Sequence, residues 1–327
     1  MSSSVMRSAV TGVGSYLPEK IVTNADLAKK VDTSDDWIVE RTGIYQRHNV
    51  APGEFTSDLA TAAARRALEA ACRTPGEVDL IIVATTTPDL TFPSTAVIVQ
   101  RKIGAPVGIA FDVQAVCTGF VYALAVAEGF VSRGMAKCAL VIGAETMSCL
   151  MDYTDRATCV LFGDGAGAVV LESRAGQGTT ADQGLLGFAL RADGTKEDLL
   201  RVSGGPSSTH TVGYLTMQGS QVFRHAVVNI AEAVNMAAAH AGVALSEVDW
   251  FIPHQANQRI LDGVAQRLGL DESKVISTVA KHANTSAASI PLAFDEAVKD
   301  GRIKPGQLLM LEAMGGGLTW GAAVLRL

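Results

Sequence analysis

The segment T-P-G-E-V-D-L-I-I-V at residues 74–83 has a counterpart, V-A-L-S-E-V-D-W-F-I-P, at residues 243–253. The E-V-D triplets of the two segments begin at Glu77 and Glu247, which are 170 residues apart. Each segment follows an Ala-rich amphipathic helix pattern and ends in an apolar run that is typical of a buried strand. The agreement of helix, triplet and strand at one offset predicts an internal duplication.

Helix patterns and strand patterns alternate along the chain. The helix patterns at residues 59–72 and 230–241 are followed by apolar strand patterns, and further strands of this kind are predicted at 80–84 and 139–143. Short buried strands that alternate with helices indicate an α/β layered fold.

We expect two similar halves, residues 1–175 and 176–327, which pack into five layers of the order αβαβα. The active site is expected where the halves meet. Adding the 170-residue offset to Cys117 gives Ala287, within the segment A-N-T-S-A-A-S. The segment around Cys117 therefore has a predicted structural twin in the second half.

Cys117 lies where a strand pattern gives way to a helix pattern. Residues 109–116 are apolar and β-branched, and from Thr118 the apolar residues recur at helical spacing. A thiol at a helix N-terminus faces unpaired N–H groups and the positive end of the dipole, which favour the thiolate. The same amides can stabilise an oxyanion. The alternative is a small, buried, inert cysteine.

Composition narrows the class of protein. The chain has 327 residues, 48% of them hydrophobic, and a net charge of −6, which argues against nucleic acid as the default partner. The N-terminus M-S-S-S-V-M-R has no apolar signal-peptide region, and no apolar run approaches membrane-span length. A soluble cytoplasmic enzyme is expected. The other four cysteines are predicted to be core residues rather than a disulfide framework: Cys72, Cys138, Cys149 and Cys159.

A cysteine that forms thioesters needs partners for its proton and for the substrate carbonyl. His254 in W-F-I-P-H-Q-A-N-Q-R and Asn284 in K-H-A-N-T-S-A-A-S both follow predicted strands, where α/β sheets place their ligand sites. His282 competes with His254 but is expected to lie further from the reacting atoms. The remaining histidines are interpreted as hydrogen-bonded loop residues: His48, His210, His225 and His240.

The segments around Cys117, His254, Asn284 and the glycine run 315–317 resemble β-ketoacyl-acyl-carrier-protein synthase III, the initiating condensing enzyme of type II fatty-acid synthesis. H-Q-A-N-Q-R-I and G-G-G-L-T-W-G are highly specific together, and the resemblance covers essentially the whole chain. It implies a thiolase-like fold, a homodimer and a Cys-His-Asn triad formed by these three residues. Backbone N–H groups of Cys117 and Gly316 would form the oxyanion hole.

The resemblance also implies binding roles. Trp37 would stack on the adenine of coenzyme A with Arg156 on the other side, Arg41 would also belong to this site, and Asn257 would help to position the pantetheine arm. Two arginines would meet the acidic acyl carrier protein: Arg224 and Arg259.

The resemblance has two further implications for the acyl pocket. Phe92 would close the acyl pocket of the partner subunit, which suggests a short primer such as acetyl or propionyl. Met314 stands where the family commonly has Phe, and this departure concerns the shape of the pocket. No metal or organic cofactor is expected, because coenzyme A serves as a substrate carrier.

Other functions stay open from the sequence. A paralogous condensing enzyme of a polyketide pathway, or one like hydroxymethylglutaryl-coenzyme A synthase, would keep the triad. A thiolase with a second catalytic cysteine is disfavoured, because residues 310–320 contain none. A papain-like hydrolase would need a different context around Cys117. The run G-D-G-A-G at 163–167 lacks the Lys-Ser/Thr of a phosphate-binding loop, so we interpret its glycines as permitting a tight turn and close strand packing.

Overall fold

The computed structural model describes residues 5–327, so residues 1–4 of the polar N-terminal stretch lie outside the described part. The strands in chain order are β1 (Val5–Tyr16), β2 (Lys20–Thr23), β3 (Gln46–Asn49), β4 (Leu80–Ala84), β5 (Ile109–Val113), β6 (Cys138–Thr146), β7 (Asp164–Gly176), β8 (Gly184–Ala192), β9 (Leu200–Val202), β10 (Leu215–Met217), β11 (Trp250–Pro253), β12 (Leu308–Gly315) and β13 (Thr319–Arg326). The helices are α1 (Asn24–Leu27), α2 (Asp35–Thr42), α3 (Thr56–Ala70), α4 (Thr95–Ile103), α5 (Gly119–Ser132), α6 (Gly219–Ala241), α7 (Gln258–Leu268), α8 (Val279–His282) and α9 (Ser289–Lys299).

Two mixed sheets form the frame of the molecule. The first has the strand order β1-β7-β6-β4-β5, and the second has the order β11-β12-β13-β8. In the first sheet β4 runs parallel to β5 and β6, whereas β7 is antiparallel to β1 and β6. In the second sheet β11 and β12 are parallel, and β13 is antiparallel to β12 and β8.

Helices cover and separate the two sheets. α3 and α4 pack on the outer face of the first sheet, α5 and α9 lie between the sheets, and α6 with α7 covers the second. The predicted five-layer αβαβα arrangement is therefore confirmed. Phe120 of α5 and Phe294 of α9 are fully buried in the middle layer. Burial of each such side chain contributes about 1.5–3 kcal/mol.

The first sheet takes its strands from residues 5–176 and the second from residues 184–326. The predicted division at 175/176 falls at the end of β7 and stays a prediction. No helix of residues 5–327 is both long enough and apolar enough to cross a lipid bilayer.

The internal duplication extends to the backbone angles. A 3₁₀ turn at Val116–Thr118 leads into α5, and a second turn at Ser286–Ala288, 170 residues later, leads into α9. We call these the first and second elbows. Val116 and Ser286 open them with φ angles of 50° and 49°. A left-handed conformation is strained for a β-branched residue such as Val116, so the surrounding packing must hold it.

Two predicted element boundaries differ most from the structure. The strand expected over residues 109–116 ends at Val113, because the chain then turns into the 3₁₀ turn, where Ala115 has a ψ of 32° and Val116 is left-handed. The helix expected over 230–241 begins at Gly219, eleven residues earlier. In its first two turns only Val222 and Ala226 are buried, so the apolar pattern there is too sparse to mark a helix.

Candidate active site

Cys117, His254 and Asn284 line one cavity of about 50 Å³. Cys117 comes from the first half and the other two come from the second, so the cavity lies where the halves meet. The predicted partners of the cysteine are thus brought together. The rest of the lining is mostly apolar: Leu161, Phe162, Leu200, Met217, Val222, Ala226, Ile230, Ala256, Asn257, Ile260 and Met314.

Cys117 lies in the first elbow, at the N-terminal end of α5, as predicted. The expectation that this position favours the thiolate was wrong for the free enzyme. Burial raises the pKa of the thiol to about 12, and the negative charge of the nearby Glu145 acts in the same direction. A hydrogen bond between the thiol and Ser286 lowers this pKa by less. Desolvation of the charged form therefore outweighs the elbow's N–H groups.

Two backbone amides near the thiol are available to a substrate. A Cβ on Gly315 would come within 2.7 Å of the Cys117 nitrogen, so only glycine allows this close approach. Within residues 5–327 neither Cys117 N–H nor Gly316 N–H donates to a backbone carbonyl outside the regular elements, and Cys117 N–H bonds to its own thiol sulfur. Backbone amides beside a nucleophile are the usual components of an oxyanion hole.

His254 follows β11 and is buried. Its ring Nδ1 lies 2.7 Å from the hydroxyl of Ser289, the first residue of α9. Nε2 is therefore the ring nitrogen left for the cavity. Burial lowers the pKa of His254 to about 3, so the imidazole is neutral near pH 7.

Asn284 is held by the backbone of the first half. Its N–H donates to the carbonyl of Leu161 at 2.9 Å, and its carbonyl accepts from Gly163 N–H at 3.0 Å. The side-chain Oδ1 accepts from Ser286 N–H at 2.9 Å. This bond identifies the oxygen of the amide, so the Nδ2 group remains as a donor for a substrate.

Glu145 is a buried residue near the site that sequence analysis missed. Its carboxyl group accepts hydrogen bonds from Thr87 Oγ1 at 2.7 Å, from Thr86 N–H at 3.0 Å and from Ser286 Oγ at 3.0 Å. Burial raises its pKa, while these bonds lower it. The carboxyl group thus ties the loop after β4 to the second elbow. The sequence signal that could have revealed Glu145 is a charged residue within an otherwise apolar strand pattern.

Trp37 lies under two guanidinium groups. The Cζ atoms of Arg41 and Arg156 are 4.6 and 5.1 Å from the centroid of its ring. Trp37 and Arg41 are both in α2, as their four-residue spacing predicted. A partly exposed aromatic ring close to two cations suits a flat, phosphorylated ligand.

Asn257 connects this cluster with the cavity. Asn257 caps α7, with its Oδ1 accepting from Ile260 N–H at 3.0 Å, and it lines the cavity. A Cβ on Gly43, which ends α2, would come within 2.6 Å of Gln258 Cβ. The helix that carries Trp37 therefore packs directly against the helix that begins beside the cavity.

The remaining predicted residues lie at the surface or in the cavity wall. Phe92 is 81% exposed and does not line the cavity of its own chain, whereas Met314 does. Arg224 on α6 and Arg259 on α7 are exposed, and neither forms an ion pair within the described chain.

Two of the four cysteines predicted to be core residues are instead exposed. Cys72 follows the end of α3 with φ 52°, and Cys149 faces out of a 3₁₀ turn whose Met147 and Leu150 face inward. Cys138 and Cys159 are buried, as predicted. His282 does not line the cavity, and its Nε2 lies 3.5 Å from Glu296. Residues 5–327 contain no cluster of three potential metal ligands.

Comparison with known proteins agrees with this geometry. The family model described as 3-oxoacyl-[acyl-carrier-protein (ACP)] synthase III matches residues 111–194, and the model of its C-terminal part matches residues 238–327. The matched residues include the first elbow, His254 and the second elbow.

Full-length relatives extend the match to nearly the whole chain. The beta-ketoacyl-[acyl-carrier-protein] synthase III of Caulobacter vibrioides is 74% identical over 98% of this chain and 100% of its own. The crystal structure of the 3-oxoacyl-[acyl-carrier-protein] synthase III of Aquifex aeolicus VF5 is 46% identical, with a TM-score of 0.92 over 98% of this chain and 100% of that one.

A polyketide enzyme is also structurally similar. The priming β-ketosynthase of the R1128 polyketide biosynthetic pathway is 35% identical, with a TM-score of 0.92 over 99% of this chain and 97% of its own. The relative that is 74% identical over 98% of this chain is a beta-ketoacyl-[acyl-carrier-protein] synthase III, not a polyketide enzyme. The chain belongs to the β-ketoacyl-[acyl-carrier-protein] synthase III family.

Proposed function

We propose that this protein starts fatty-acid synthesis by moving a short acyl group, most simply acetyl, from coenzyme A to Cys117. It then condenses this group with malonyl-acyl carrier protein, with loss of carbon dioxide. One observation carries the proposal. A buried thiol shares a cavity with a neutral imidazole and a free side-chain amide group.

In the first half-reaction the Cys117 sulfur attacks the acetyl thioester. The amides of Cys117 and Gly316 stabilise the tetrahedral oxyanion, and one such donor typically contributes about 3 kcal/mol. The thioester to coenzyme A breaks, and the thiol proton of Cys117 ends on the departing sulfur. Because burial raises the pKa of Cys117 to about 12, the proton leaves during the attack rather than before it.

In the second half-reaction malonyl-carrier protein replaces coenzyme A. Nε2–H of His254 and Nδ2–H of Asn284 donate to the malonyl thioester carbonyl and stabilise the enolate that forms as carbon dioxide departs. The enolate carbon attacks acetyl-Cys117, which gives acetoacetyl-carrier protein and the cysteine thiolate. That thiolate takes a proton from solvent, so the two half-reactions predict ping-pong kinetics.

The homodimer is also part of the proposal. β5 is an edge strand of the first sheet, and an exposed edge is a template for pairing with another chain. Large apolar side chains stand exposed on the segments that flank it: Leu90, Phe92, Val97 and Val107. An apolar surface of this kind marks an interface. Phe92 is then available to reach the acyl pocket of the partner subunit. The cytoplasmic location remains a prediction.

Incubation with acetyl-coenzyme A followed by intact-protein mass spectrometry tests the function. We expect a single acetyl adduct, discharged by malonyl-carrier protein to a ketoacyl product. An adduct that forms only with longer or branched primers would favour a polyketide-type paralogue, the second candidate that the R1128 neighbour supports. No adduct with any acyl-coenzyme A would contradict the proposal.

Trp37→Ala is expected to raise the KM for acetyl-coenzyme A about 5-fold to 150-fold, because stacking of a base on an aromatic ring contributes about 1–3 kcal/mol. Steady-state acetylation rates measure this effect. Acetyl-pantetheine, which has no adenine, provides the control donor and should be used equally by both proteins. Trp37→Phe should recover most of the affinity. An equal rise in KM for acetyl-coenzyme A and for acetyl-pantetheine would contradict adenine stacking.

Arg259→Glu is expected to raise the KM for malonyl-carrier protein about tenfold and to leave malonyl-coenzyme A within twofold. An exposed cation contributes to docking of an acidic partner mainly through screened, long-range attraction. Arg133→Glu makes the same change of charge at another exposed arginine without an ion pair in the described chain. If the KM values for malonyl-carrier protein and malonyl-coenzyme A rise equally, Arg259 does not contribute to docking of the carrier protein.

A further inference from the structure

Ser289 is the hydrogen-bond partner of the His254 ring. Its hydroxyl oxygen lies 2.7 Å from Nδ1 of His254, 3.0 Å from the carbonyl oxygen of Ser286 and 3.3 Å from the backbone nitrogen of Gln255. Ser289 is 2% exposed and opens α9, whose other first-turn residues are apolar. The sequence comparison assigns it no role.

A serine hydroxyl has one proton to donate and two lone pairs. Gln255 N–H can only donate, so it occupies one lone pair of Oγ. The hydroxyl proton can point to the Ser286 carbonyl or to Nδ1 of His254. The Ser286 carbonyl already accepts the backbone N–H of Ser289 at the end of the second elbow. The Ser286 carbonyl therefore keeps this hydrogen bond when the Ser289 hydroxyl turns to the imidazole.

Nδ1 has no such second partner. If the hydroxyl proton does not reach it, Nδ1 must itself carry the ring proton, and Nε2 then faces the cavity as an acceptor. An acceptor at that position would repel the developing enolate oxygen. Burial also keeps His254 neutral, because it lowers the pKa to about 3, so only one ring nitrogen holds a proton.

We propose that Ser289 is a positioning residue that donates to Nδ1 of His254 and thereby places the single ring proton on Nε2, toward the substrate. The proposal rests on the proposed function. On this proposal the hydrogen bond affects the rate of the second half-reaction and not that of the first. Residues that orient a histidine through its second nitrogen have large effects on activity without touching the substrate.

Long-range ¹H–¹⁵N correlation spectra of protein labelled with [¹⁵N]histidine distinguish the two neutral tautomers. The His254 signals are identified by their loss in His254→Asn. We expect the free enzyme at pH 7 to show Nε2 protonated and Nδ1 bare. In Ser289→Ala the Nδ1 signals should move toward the protonated form. A wild-type spectrum with the proton on Nδ1 would overturn the proposal.

The half-reactions provide the second measurement. In Ser289→Ala, acetyl adduct formation should stay within about threefold, while discharge by malonyl-carrier protein should fall about 10-fold to 100-fold. Ser8→Ala is the matched control, since Ser8 is also buried and does not line the cavity. Equal slowing of both half-reactions would show a structural role and refute the assignment. If the wild type forms no adduct, the proposed function itself fails, while the tautomer spectrum still tests Ser289.

Discussion

Cys117→Ala removes the acetyl adduct, and the rate of condensation falls by at least about a thousandfold. A residue that forms the covalent intermediate cannot be bypassed without losing the two-step route, and removal of a nucleophile costs several orders of magnitude. Because His254 and Asn284 remain in place, the variant should still release carbon dioxide slowly from malonyl-carrier protein. Intact mass and carbon dioxide release, measured on the same sample, test both statements.

The control for this experiment is Cys149→Ala. Cys149 is exposed, so it is open to non-specific acylation. Its variant should keep the full adduct and full condensation. An adduct of unchanged mass on Cys117→Ala would show that another group carries the acyl chain, and the assignment of the nucleophile would fail.

Asn284→Asp separates the two half-reactions. The aspartate keeps an oxygen for Ser286 N–H, so the second elbow should hold its shape, but it loses the Nδ2 donor and adds a negative charge. Loss of one oxyanion donor typically slows a reaction about 100-fold to 1000-fold. We expect discharge of the acetyl adduct by malonyl-carrier protein to fall by at least this factor.

Formation of the adduct should change much less, because its oxyanion is expected at the amides of Cys117 and Gly316. Rapid-quench mass spectrometry of each half-reaction measures the difference. Asn284→Ala provides a second variant without the added charge. If adduct formation falls as far as discharge, then Asn284 acts in both steps and the division of labour between the two halves is wrong.

Much of the architecture could be predicted from local patterns. The strand at 80–84 was predicted residue for residue, because all five side chains are apolar and buried. The 170-residue offset located the second elbow, because the two halves share one backbone plan down to the φ angles of Val116 and Ser286. Prediction failed where packing overrides the pattern, as at the end of β5 and the beginning of α6.

The layered fold, the duplicated elbows and the three residues that meet in the cavity could be inferred from the chain, because periodicity, motif spacing and family motifs are local properties of a sequence. The electrostatics of the site could not be inferred in this way. The Cys117 thiol and the His254 imidazole are held uncharged by burial, which depends on segments more than 100 residues apart. The same holds for Ser289, whose contact with His254 spans 35 residues and two layers of the fold. Desolvation and hydrogen-bond direction depend on what surrounds a group in space, and no linear pattern encodes that neighbourhood.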